Sequence, residues 1–312
     1  MKRIFAGSYV ALPTPFQGSG VIDFEALRRL VDRQAAGGSA GIVVCGTTGE
    51  SATLTDRERR AVVEAAVQYA GGRLKVVAGV GTNATASSVE LAQHAMACGA
   101  DGMLVVTPYY NKPGKVGLLR HMSAVAEAGA LLPVMLYNVP TRTACDLLPE
   151  WAGELARECP NVLALKEATS DPRRIREVCA IEELEILCGE DGAIVEFMAA
   201  GAVGAVNVVG NVFPELVDQL IETASQSRGD SGHCRELREA LAPLVRDLFI
   251  ETNPGPVKAA LASLDVCEST VRGPLAAIEQ ENLLRVEGSL RKVAKLGLAA
   301  KMVAVLPTTS SS

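Results

Sequence analysis

Eight short apolar runs, each followed by a stretch with helical spacing, constrain this chain more than any other feature. The runs are Ser8–Leu12, Ala40–Val44, Val76–Gly79, Gly102–Val106, Val134–Tyr137, Val162–Leu165, Ile186–Gly189 and Ala205–Val209, starting roughly 20 to 36 residues apart. That spacing leaves room for the crossover of a dozen or more residues that a parallel return requires. The runs are apolar throughout rather than alternating, as expected of strands covered on both faces. Between them, Phe24–Ala36 reads as a helix released at Gly37-Gly38. Thr55–Glu58 and Ser87–Glu90 match capping boxes, and Asp171-Pro172 reads as an N-cap with proline at the first helical position. Eight strands of one type predict a closed (β/α)8 TIM barrel. The open doubly wound alternative lacks its GxGxxG fingerprint, and no GxxxxGK[ST] loop occurs.

The pattern changes at the polar break Gln226–Gly232. Helix-like segments follow at His233–Ile250, Pro256–Leu264, Pro274–Leu284 and Leu290–Leu306, without a convincing strand between them. The expected organisation is a barrel domain over 1–228, a C-terminal α-helical domain over 229–306 and a disordered tail over 307–312. The formal net charge is −6, with no Arg/Lys run interleaved with aromatics, so no nucleic-acid partner is expected. No uninterrupted 18-residue apolar segment occurs, and the first residues make a poor signal peptide, so neither membrane insertion nor export is expected. Eight cysteines without a CxxC pair suit free thiols in a reducing, cytoplasmic compartment.

Barrel enzymes react at the C-terminal ends of their strands, so polar residues there matter most. Lys166 is one of nine lysines and the only one directly closing a predicted barrel strand. Burial disfavours a charged amine, and a free amine can attack a ketone to form an imine. The competing reading is a structural lysine paired with Glu167. Tyr137 ends strand 5, and Arg142 follows in a turn where it can hold a carboxylate through two parallel bonds. After strand 2, Gly46-Thr47-Thr48-Gly49 offers backbone N–H groups and two hydroxyls to an anion of carboxylate size. Tyr109 and Tyr110 either line the mouth or pack against another subunit. Gly79–Asn83 and Gly189–Gly192 allow tight turns, with Asp191 read as an N-cap. His94, His121 and His233 all fall in predicted helices, so neither a metal nor any other cofactor is expected. Cys45 reads as a buried thiol rather than a nucleophile.

Taken in order, Gly46–Leu54 (GTTGESATL), Pro108–Pro113 (PYYNKP), Tyr137–Arg142 (YNVPTR), Leu165–Thr169 (LKEAT) and Asn253–Lys258 (NPGPVK) resemble the dihydrodipicolinate synthase family from Gly7 to about Leu306. The resemblance implies a barrel with a helical C-terminal domain, assembled as a homotetramer built from tight dimers. It implies condensation of pyruvate with L-aspartate 4-semialdehyde in lysine and diaminopimelate biosynthesis. Lys166 would form the Schiff base, with Tyr137 beside it. Thr47 would link Tyr137 to Tyr110 in a proton relay, with Tyr110 donated across the tight interface. Thr48 would bind the pyruvate carboxylate and Arg142 that of the semialdehyde, with backbone contacts from Gly189 and Val206. Asn83 and Tyr109 match an allosteric lysine site, but Ser87 replaces an expected glutamate and Arg59 stands where some inhibited members have histidine. Weak or absent inhibition by lysine is therefore expected. Asn207 replaces a small hydroxyl residue and is expected to reshape the pocket. Two alternatives stay open: a pyruvate-dependent aldolase for another 2-oxo or sugar acid, against which Arg142 argues, and a barrel that binds a small acid without turning it over.

Overall fold

A computed structural model describes residues 3–295. The eight runs are strands β1 (Gly7–Ala11), β2 (Gly41–Val44), β3 (Lys75–Gly79), β4 (Gly102–Val106), β5 (Val134–Asn138), β6 (Val162–Glu167), β7 (Glu185–Cys188) and β8 (Gly204–Asn207). They pair in chain order, all parallel, and β8 pairs back onto β1 to close the barrel. The barrel helices are α1 (Phe24–Ala36), α2 (Asp56–Ala70), α3 (Thr85–Ala97), α4 (Lys115–Ala128), the single turn α5 (Pro140–Thr143), α6 (Pro149–Glu158), α7 (Pro172–Cys179), α8 (Ile194–Ala200) and α9 (Pro214–Ser227). After them come α10 (Gly232–Asp247), α11 (Gly255–Ala262) and α12 (Gln280–Lys295).

Strand side chains alternate between two cores. Tyr9, Val43, Val77, Leu104, Met135, Ala164, Leu187 and Val206 fill the barrel interior, while their neighbours pack outward against the helices. Phe5 meets Tyr9 edge to face, with centroids 6.0 Å apart, and plugs the end where the strands begin. The barrel interior opens at the opposite end.

Local chemistry sets several helix starts. Asp23 and Asp171 accept from backbone amides of α1 and α7, and Thr55 with Glu58 forms a reciprocal capping box at α2. The box expected at Ser87 does not form. The helix α3 begins earlier, at Thr85, because the Thr82 hydroxyl turns the chain by accepting from Ala84 N. Ser88 is instead buried and accepts from Thr82 N.

The two helices expected at Pro274–Leu284 and Leu290–Leu306 are one helix over the described residues. Arg272 pins the preceding segment to the barrel by donating to Glu58 and to the carbonyls of Gly20 and Thr53. Helix α12 therefore starts only at Gln280. Val286, Leu290 and Val293 then keep one continuous apolar stripe, so nothing breaks it. Residues 296–306 and the expected tail lie outside the described residues, among which no helix is long and apolar enough to cross a membrane.

Candidate active site

Tyr137 on β5 and Lys166 on β6 are register partners, so the pairing sets them side by side. Both point into the barrel, because each lies two residues beyond an inward-facing residue, Met135 or Ala164. The Lys166 Nζ stands 4.2 Å from the centre of the Tyr137 ring. Lys166 is buried, and among the described residues no carboxylate or hydrogen-bond acceptor contacts its amine. The structural alternative for Lys166 fails for a geometric reason. Glu167 is the next residue along the strand and points to the opposite face. There it accepts from Asn138 Nδ2 and from Arg174, and burial nevertheless pushes its carboxyl up to about 7.

Gly189 gives the lysine its room. A Cβ there would lie 3.0 Å from Lys166 Cγ and Cε, tighter than a side chain accepts without displacing the amine's stem. Glu190 lines the same cavity. Burial raises its carboxyl, and the Lys166 cation opposes that rise.

The segment Cys45–Glu50 forms a tight loop above β2, with left-handed backbone at both ends, φ 54° at Cys45 and 52° at Glu50. Thr14 Oγ1 donates to Gly49 O at 2.7 Å, and Ser51 N donates to Gly46 O. Gly79 permits the close approach beneath, since a Cβ there would collide with Cys45 O at 2.2 Å. The Cys45 thiol is fully buried, donates to Arg59 O, and is pushed up to about 12 by burial. A thiol held protonated by burial is a poor nucleophile.

Lys166, Tyr137, Thr47, Thr48, Arg142, Gly189 and Val206 all line one cavity of about 210 Å³ at the open end of the barrel. A second lobe of about 290 Å³ shares Thr47, Tyr137 and Arg142 with it and adds Tyr109. Asn83 lies outside both lobes; its carbonyl accepts from Asn111 Nδ2. Tyr110 also lies outside them, 87% exposed, with φ 73° and its amide donating to Thr143 O. Among the described residues no hydrogen bond joins Thr47, Tyr137 and Tyr110 within one chain.

Two sequence readings need correction. Asn207 does not face the pocket: it follows inward-facing Val206, so it points outward and donates to Ser8 Oγ and Tyr9 O across the β1–β8 seam. Asp191 is no simple N-cap; its carboxylate accepts from Val208 N and Val209 N, joining the loops after β7 and β8.

Other residues of the site are contributed from far along the chain. Asn253 lines both lobes and donates to Thr48 Oγ1 at 2.9 Å. Lys258 is fully buried, donating to Glu50 and to Thr270 O, while Glu50 also accepts from Arg272 N. Only the NPGPVK motif marked this segment in the sequence. The three histidines lie on α3, α4 and α10.

The model of the dihydrodipicolinate synthetase family matches residues 4–293. A curated 4-hydroxy-tetrahydrodipicolinate synthase of Aquifex aeolicus is 45% identical over 294 residues, covering 94% of this chain and 97% of that protein. The crystal structure of dihydrodipicolinate synthase from the same organism superposes with a TM-score of 0.89 at 43% identity, covering 95% and 99% of the two chains. The 4-hydroxy-tetrahydrodipicolinate synthase of Methylacidiphilum fumariolicum SolV gives 0.90 at 37% identity, over 97% and 100%.

Proposed function

This chain belongs to the dihydrodipicolinate synthetase family, and we propose on that basis that it condenses pyruvate with L-aspartate 4-semialdehyde through a Schiff base on Lys166. The observation that carries the reading is the buried, unpaired Lys166 amine beside the Tyr137 ring, in a cavity that also holds Thr47, Thr48 and Arg142.

The Lys166 nitrogen attacks the keto carbon of pyruvate, and loss of water leaves a protonated imine. Departure of a methyl proton places its electron pair on that nitrogen as an enamine, whose carbon attacks the aldehyde. The amine of the acquired semialdehyde then attacks the imine carbon and displaces Lys166, regenerating the free enzyme. Two substrate carboxylates need two anion sites, and Thr48 and Arg142 supply them on different strand ends. Protons move through hydroxyls only at hydrogen-bond distance. The outward projection of Tyr110 suits donation into a second copy's site, where it would complete the Thr47–Tyr137–Tyr110 relay in a tetramer built from tight dimers. A cytoplasmic location accords with this chemistry.

Pyruvate with borohydride should add the mass of one reduced pyruvate to the intact protein. An unchanged mass at saturating pyruvate overturns the reading. Arg142→Ala should leave that adduct intact and lower kcat/KM for the semialdehyde by about a hundredfold, as loss of two charge-assisted bonds implies. Disappearance of the adduct would instead remove Arg142 from the role of second-substrate ligand.

Lysine should inhibit weakly or not at all. Arg59 is buried and donates to Gly79 O, and Ser87 offers a hydroxyl rather than a carboxylate to an ammonium. Half-inhibition at sub-millimolar lysine in a steady-state assay would contradict this.

A further inference from the structure

Asn253 arrives from the C-terminal segment, 205 residues after Thr48, yet its side chain forms part of the wall of the Lys166 cavity. It is 6% exposed. Its Nδ2 donates to Thr48 Oγ1 at 2.9 Å, and its Oδ1 is buried without a hydrogen-bond partner among the described residues. Buried amide oxygens are rarely left unpaired, so this side chain is not placed by packing alone.

We propose that Asn253 is a positioning residue for the keto acid: by donating to Thr48 Oγ1, it commits the Thr48 hydroxyl hydrogen to the substrate carboxylate. The inference rests on the proposed role of Thr48 as the ligand of that carboxylate. A threonine hydroxyl has one hydrogen and two lone pairs, and without a fixed partner it rotates among the acceptors within reach. An amide N–H on one lone pair removes that freedom on the protein side. The hydroxyl hydrogen then faces the cavity, where a carboxylate makes the stronger, charge-assisted bond. Thr48 itself is buried, so water does not compete freely for that hydrogen. The C-terminal helices thereby contribute to substrate recognition through one side chain.

The test measures the pyruvate concentration that half-saturates borohydride trapping, read by intact mass, in four proteins: the parent, Asn253→Leu, Thr48→Val and the double variant. Leucine keeps the branched shape of asparagine and removes its donor. In the parent background Asn253→Leu should raise half-saturating pyruvate about tenfold, the worth of one hydrogen bond to a charged group. In the Thr48→Val background the same change should matter less than about twofold, because its effect passes through the missing hydroxyl. An equal factor in both backgrounds would make Asn253 a merely structural residue and overturn the proposal. So would no rise in the parent background. Thermal unfolding is followed alongside, and if the leucine variant does not fold, Asn253→Ala is read in the same two backgrounds with the same criteria. Absence of any adduct in the parent would defeat the Schiff-base reading itself, a failure distinct from this one.

Discussion

Lys166→Arg should abolish the borohydride-stable pyruvate adduct and lower turnover by at least about a thousandfold, since removal of a covalent nucleophile leaves only binding and electrostatics. Arginine keeps the positive charge and most of the side-chain length, but its guanidinium stays protonated and cannot attack a ketone. The variant therefore separates nucleophilic chemistry from mere attraction of an acid. Lys258 is the other buried lysine among the described residues, but its amine is occupied by Glu50 and Thr270 O and lines neither lobe of the site. Lys75 sits at the opposite end of the barrel, where its amine donates to Ile4 O. Among the described residues only Lys166 combines burial, an unoccupied nitrogen and a place in the cavity. Peptide mapping of the trapped protein should find the added mass on the peptide containing Lys166. Persistence of the adduct in Lys166→Arg would show that another amine carries the chemistry.

The barrel could be read from the sequence because its strands are buried on both faces, which leaves continuous apolar runs that no half-exposed strand produces. Lys166 was visible for a related reason: a cation closing such a run is conspicuous. Its place beside Tyr137 is implied only by the family resemblance, since register between β5 and β6 depends on how the sheet closes, not on either run alone. Capping shows the same limit. Thr55–Glu58 and Ser87–Glu90 carry the same pattern, but the second fails because Thr82 has already turned the chain and the helix starts at Thr85, which leaves Ser87 inside it rather than at its cap. Asn207 and Asp191 were misread because an outward-facing asparagine and a buried aspartate look, in sequence, like a pocket residue and a cap. Asn253 and Lys258 stood in a recognisable motif, yet their partners, Thr48 and Glu50, lie more than two hundred residues earlier. No local pattern connects them.

The Lys258–Glu50 pair carries the second large effect. Lys258→Met should lower stability by about 3–5 kcal/mol, because it strands a buried carboxylate with the Arg272 amide as its one remaining hydrogen-bond donor among the described residues. For a chain of this size that corresponds to a fall in Tm of about 6–15 °C. The loss has two physical sources. Burial already disfavours the Lys258 cation and lowers its proton affinity, and the Glu50 charge opposes that shift. Removing the lysine leaves Glu50 with the desolvation cost and without the attraction. The Lys258 ammonium also lies over the Phe16 ring, its Nζ 4.1 Å from the ring centre, and methionine keeps the apolar bulk of the stem but loses that cation–π contact. The electrostatic source should therefore dominate, and Glu50→Gln combined with Lys258→Met should recover a substantial part of the lost stability. Because Glu50 ends the loop that carries Thr47 and Thr48, the single variant should also raise half-saturating pyruvate more than it lowers kcat. If Lys258→Met unfolds within a degree or two of the parent, the pair does not hold that loop. If the double variant recovers nothing, the loss comes from packing, not from the stranded charge.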